Sequence, residues 1–184
     1  MSSGVASSGV VGAPCIVRRI RPPEIEAVRH LAAAIPTAAH WSREEYEKYG
    51  VMAQPGDAQV KALFVARTSD GVVGFAAYSL LAETGECMLE NMAVAEPWRR
   101  QGIARRLLTV GLLWHRTWYG AERSADPASA AALCLEVRAS NQGAIVFYES
   151  AGFAATGRRP RYYAQPEEDA VLLARPLDEP SPRR

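Results

Sequence analysis

The sequence predicts one α/β domain, with a mixed central sheet of about six or seven strands and about four flanking helices. Three observations predict it. The chain has 184 residues, a length that one hydrophobic core can serve. Strand-like apolar runs alternate along it with runs of helical period. No internal repeat and no linker-like shift in composition divides it, so residues 15–178 are expected to form one domain between short tails, 1–14 and 179–184.

The elements follow in order. Cys15–Ile20 alternates roughly apolar and polar, as a half-buried strand does. After Pro22 and Pro23, Glu24–Ile35 places Ile25, Val28, Leu31 and Ile35 on one helical face. Ser42 and Glu45 have capping-box spacing for a second helix that Gly50 ends. Val60–Arg67 and Val72–Leu80 are β-rich and joined by a Ser-Asp-Gly turn. Glu86–Val94 is another strand, and Gly102–Trp118 is a long helix. Tyr119–Ala130 holds Gly, Ser, Asp and Pro and reads as an unusually long loop. Ala132–Arg138 is a strand, Asn141–Ala151 a short helix stopped by Gly152, and Phe153–Tyr163 and Ala170–Leu177 are the last two strands.

Bulk properties exclude several classes. Apolar residues make up 48% and charged residues 22%, as in ordinary soluble domains. A net charge of +1 gives no overall field toward nucleic acid or an anionic membrane. Cys15, Cys87 and Cys134 are scattered and odd in number, so neither a disulfide framework nor a zinc site is expected, and Cys87 and Cys134 read as buried thiols. His30, His40 and His115 lack metal-ligand spacing, and no metal is expected. Without a signal-like start or a membrane-length apolar run, the expected location is the cytoplasm.

Two stretches carry chemistry. In the first, Asn91–Leu108, a strand ends near Val94 and Arg100, Gln101, Gly102, Ile103, Ala104 and Arg105 lead into a helix. A helix start presents unpaired amides and partial positive charge, and flanking arginines add charge-assisted hydrogen bonds, so the segment suits a diphosphate. It is neither the dinucleotide fingerprint nor a P-loop. In the second, Cys134–Phe153, a strand carrying Glu136 runs into Asn141, Ala144, Phe147, Tyr148, Gly152 and Phe153.

Together, in this order, the two stretches resemble the coenzyme A-binding motif and the N-x-x-A-x-x-F/Y-Y-x-x-x-G-F motif of the GNAT N-acetyltransferases. The run Leu135–Asn141, Tyr148–Ser150, then Arg158, Arg159, Tyr162, Tyr163 and Glu168–Ala170 is similar to the bacterial ribosomal-protein-alanine branch. The resemblance is close from about Leu89 onward and looser before. It implies the GNAT fold and acetyl-coenzyme A as cosubstrate. It also implies that the backbone of Met92, Ala93 and Val94 holds the thioester and pantetheine arm, and that Arg100–Arg105 holds the diphosphate. Asn141 would contact the coenzyme, Glu136 would be the general base and Tyr148 the general acid. The acceptor it implies is a protein N-terminus, most simply an alanine of a small-subunit ribosomal protein, with the enzyme a monomer or weak dimer.

The residue chemistry agrees with those roles. An α-amine of pKa about 8 is partly neutral at pH 7, and a carboxylate can take the remaining proton. A phenol can protonate a leaving thiolate. Glu44, Glu45, Glu47, Glu83, Glu86 and Glu90, with Trp41, Tyr162 and Tyr163, are candidates for an acidic, aromatic acceptor slot. Three alternatives stay open: a small-molecule amine acetyltransferase, a lysine acetyltransferase, and a non-catalytic acyl-coenzyme A-binding module.

Overall fold

Two apolar layers lie on opposite faces of one seven-stranded sheet. The computed structural model describes residues 14–54, 56–119 and 132–177. The expected tails, apart from Pro14, and the 119–130 loop, apart from Tyr119, lie outside the described residues. The strands are β1 (Ile16–Arg19), β2 (Gln59–Thr68), β3 (Gly71–Leu81), β4 (Cys87–Val94), β5 (Ala132–Arg138), β6 (Ala154–Ala164) and β7 (Glu167–Pro176). The helices are α1 (Ile25–Ala33), α2 (Arg43–Gly50), α3 (Ile103–Tyr119) and α4 (Gln142–Ser150). The sheet order is β1-β2-β3-β4-β5-β7-β6, antiparallel except for the β4–β5 pair.

Each expected element is present, with ends shifted for local reasons. Pro22 and Pro23 form a single 3-10 turn, so α1 begins only at Ile25. Ile35 lies past the end of α1 and is still buried. Ser42 caps α2 by accepting from the Glu45 amide at 3.2 Å. The reciprocal half of the box is replaced, since the Glu45 carboxylate takes Lys48 at 2.6 Å. Gly50 is the last residue of α2 rather than a left-handed cap. Gly152 does stop α4, with φ +90°. Cys87 is buried as expected, whereas Cys134 is only half-buried.

Strands β2 and β3 are buried on both sides, which is why they read as nearly unbroken apolar runs. Leu63, Val65, Phe75 and Ala77 meet α1 and α2. Phe64, Ala66, Ala76 and Tyr78 meet the layer of α3 and α4. The Tyr78 hydroxyl donates to the Leu107 carbonyl at 3.1 Å, inside the core. A Cβ at Gly111 would stand 2.3 Å from the Tyr78 ring, so only glycine lets α3 lie this close to β3.

One irregularity in β4 positions the site. Leu89 pairs with Tyr78 and Asn91 with Ala77, leaving Glu90 as an unmatched residue, a β-bulge. Before it, Cys87 and Leu89 pack in the α3/α4 layer. After it, Ala93 packs in the α1/α2 layer and Asn91 bonds to that layer's Ala39 and Tyr46.

Candidate active site

The parallel pairing of β4 with β5 covers only Cys87–Leu133, Met88–Cys134 and Leu89–Leu135. It stops where the Glu90 bulge bends β4, and β4 then runs on to Val94 and β5 to Arg138 along an open edge. A cavity of about 1250 Å³ occupies this opening. Its walls are β4, β5, the start of α3, one face of α4, the loop Ile35–Trp41, and Tyr162 and Tyr163 from β6.

At one end the backbone makes the wall. The Ala95 amide donates to Val73 of β3 at 2.9 Å. Strand alternation therefore turns the Ala93 amide toward β3 and those of Met92 and Val94 toward the open edge. The chain then bends through Arg100 (φ 59°) and Gly102 (φ 78°) into α3. A Cβ placed on Gly102 would have nothing within 4 Å, so this bend faces open space. The first helical bond, Arg106 amide to Gly102 carbonyl at 3.0 Å, leaves the Ile103, Ala104 and Arg105 amides without a partner inside the helix. Arg100, Gly102, Ile103, Ala104 and Arg105 all line the cavity. Gln101 does not; its amide nitrogen donates to the Pro97 carbonyl at 2.9 Å and closes the loop on itself. Asn141 lines the cavity and also caps α4, accepting from the Ala144 amide at 3.3 Å.

The other two predicted side chains, Glu136 and Tyr148, both line the same cavity. Glu136 projects from β5 with its side chain 16% exposed. Its Oε1 lies 3.1 Å from Nη2 of Arg159, and the neighbouring Glu136 carboxylate pushes the Tyr162 phenol up to about 12. Tyr148, on α4, is 7% exposed and packed edge-on to Phe153, with ring centroids 5.5 Å apart. Burial pushes its phenol well above the usual tyrosine value.

The far end is made by side chains from distant segments. Asn91 is buried and donates to the Ala39 carbonyl at 2.8 Å and to the Tyr46 hydroxyl at 3.3 Å, while accepting from the Ala39 amide at 3.2 Å. It clamps the Ile35–Trp41 loop to β4. Trp41 stacks on Tyr49 at 4.9 Å. Sequence alone gives Asn91 no role beyond membership of a motif, because its partners lie 52 and 45 residues away.

Of the six glutamates proposed for the slot, Glu90 alone reaches the cavity, held by the Ser79 hydroxyl at 2.6 Å. Glu45 and Glu47 are paired on α2 with Lys48 and Arg43. The cavity acids are Glu90, Glu96 and Glu136; Arg99, Arg100 and Arg105 sit at the α3 end. Glu96 sits in the turn next to Arg99 at that same end, and Arg138 lines the β5 wall with Glu136, so both signs occur along the cavity. Among the described residues no cluster of three or more metal-ligating side chains occurs, and no helix is long and apolar enough to cross a membrane.

Comparison with known proteins adds an independent line. Residues 59–155 match the acetyltransferase (GNAT) domain family. An uncharacterized protein of Mycobacterium leprae is 38% identical over 112 residues, which are 60% of this chain and 28% of that protein. An N-alpha-acetyltransferase of Saccharolobus solfataricus is 34% identical over 126 residues, 63% of this chain and 70% of that one. The crystal structure of the ribosomal-protein-S18-alanine N-acetyltransferase from Escherichia coli superposes with a TM-score of 0.67 at 26% identity, over 91% of this chain and 96% of that one.

Proposed function

The chain belongs to the GNAT acetyltransferase family, and from that premise we propose that it transfers an acetyl group from acetyl-coenzyme A to the α-amine of a protein N-terminus, with Glu136 as general base and Tyr148 as general acid. One observation carries this reading. The open edge between β4 and β5 has free amides and a helix start at one end, and a carboxylate and a phenol on its walls.

The residues present fit the coenzyme. The bend at Arg100 and Gly102 opens onto unfilled space beside the α3 amides, which suits a diphosphate, and Arg100 and Arg105 supply cations there. Acetyl-coenzyme A supplies an activated acyl thioester. The Met92 and Val94 amides can orient a carbonyl along the open edge and donate to the charge that grows on its oxygen. Glu136 takes the proton of the attacking amine, directly or through water. Tyr148, like any phenol of pKa about 10 or above, holds its proton at neutral pH and can donate it to a departing thiolate.

An N-terminal alanine of a ribosomal protein is the proposed acceptor, by similarity to the Escherichia coli enzyme, and similarity to the Saccharolobus N-alpha-acetyltransferase supports an α-amine as the nucleophile. The loop Ile35–Trp41 and the Tyr162–Tyr163 pair line the acceptor end of the cavity. The test is acetyl transfer to peptides beginning Ala, Ser and Met, to an acetyl-capped peptide, and to spermidine and lysine. Transfer to the alanine peptide at the highest kcat/KM is expected, and preference for spermidine or lysine would replace this acceptor with a small amine. Glu136→Gln should lower kcat about 100-fold with coenzyme affinity unchanged.

A further inference from the structure

The geometry points to Arg159 as a positioning residue for Glu136, delivered by a stapled bulge in β6; the inference rests on Glu136 being the base. The β6–β7 pairing runs Arg159–Ala170 and then Tyr163–Glu168, so Pro160, Arg161 and Tyr162 stand against Asp169 alone. Asp169 fastens this excess chain. Its Oδ1 accepts from the Arg161 amide at 2.8 Å, and its Oδ2 from Nε of Arg158 at 2.7 Å. Arg161 itself is in the left-handed region, φ 51°. A bulge re-aims the side chains around it. Here Arg159 reaches Glu136 at 3.1 Å, and the same carboxylate raises the Tyr162 phenol above the usual tyrosine value. The guanidinium also lies 5.5 Å from the Tyr162 ring centroid, so the two partners brace each other.

The route across the sheet is open because of small residues. Glu136, Leu172 and Gly157 form one cross-strand row, and Arg138, Ala170 and Arg159 the next on the same face. Gly157 and Ala170 leave room for the guanidinium to run diagonally over β7. The nearer cation on β5, Arg138, is committed elsewhere. It donates to the Gln165 carbonyl at 3.0 Å, pairs with Glu168 at 3.3 Å and covers the Tyr163 ring at 4.2 Å. The cation that fixes Glu136 therefore comes from the solvent-facing strand β6. Arg159 acts through the carboxylate: it holds Glu136 in one orientation at the cavity wall.

The experiment is a kinetic cycle on the full chain. Arg159→Gln should lower kcat about tenfold, with acceptor KM and coenzyme affinity within about twofold of wild type. Arg159→Lys should restore most of the loss, since it returns a cation. In the Glu136→Gln background, Arg159→Gln should add nothing further. Asp169→Asn, which loosens the bulge without touching Glu136, should move kcat in the same direction by less. A folded Arg159→Gln protein with wild-type kcat, or one whose loss persists undiminished in the Glu136→Gln background, overturns the inference. Wild-type turnover by Glu136→Gln would instead remove the base assignment, so the two failures are distinguishable.

Discussion

The two ends of the cleft are built differently. The end at the start of α3 is made of backbone: the Met92 and Val94 amides, a bend with two positive φ angles, and the first amides of a helix. The end toward Trp41 is made of side chains that β4, the α1–α2 loop and β6 bring together. A backbone site depends on chain conformation and is written in a few adjacent residues. A side-chain site depends on contacts between segments far apart in sequence, and a change in any one of them loosens the others. The first end suits a ligand that never varies, and the second can be retuned for different acceptors.

That contrast can be broken or sharpened by mutation. The largest effect is expected between the ends: Tyr148→Phe should cut kcat about 10- to 100-fold while coenzyme affinity stays constant. Equal loss of coenzyme binding would mean that the ring is a wall of the first end instead. Next comes the side-chain end. Asn91→Ala removes three hydrogen bonds, two of them to Ala39. It should raise acceptor KM about tenfold and lower stability by about 2 kcal/mol, read by peptide titration and thermal melting, with coenzyme affinity untouched. The smallest effect is expected at the backbone end. Gly102→Ala keeps every amide but strains φ 78° by about 1 kcal/mol, so coenzyme binding should weaken about fivefold by calorimetry. A larger loss there than at Asn91 would reverse the contrast.

The same division explains what could be read from the sequence. All seven strands and four helices were visible, since each is a local pattern of period and caps, and element ends moved by up to three residues, the most at β7, which begins at Glu167 rather than Ala170. The bend at Arg100–Gly102 was visible because small and basic residues beside a helix start are contiguous. Within it, sequence gives the loop but not that the Gln101 side chain turns back onto Pro97. The acceptor end was poorly legible. Glu44, Glu45 and Glu47 looked available, yet Glu45 and Glu47 are consumed by cations one helical turn away. Asn91's hold on Ala39 and Arg159's on Glu136 span dozens or tens of residues and leave no periodic trace. The β6 excess that aims Arg159 is a register property, and register appears only once β7 is beside it.

The unmatched residue in β4 matters more as a length of chain than as a glutamate. One peptide unit of slack there exchanges the two sides of everything downstream, so that Asn91 reaches the loop over α2 and the Met92 and Val94 side chains join the α3 layer. Shortening the strand by that one unit would turn its upper half inside out, whereas almost any side chain could serve as the spacer.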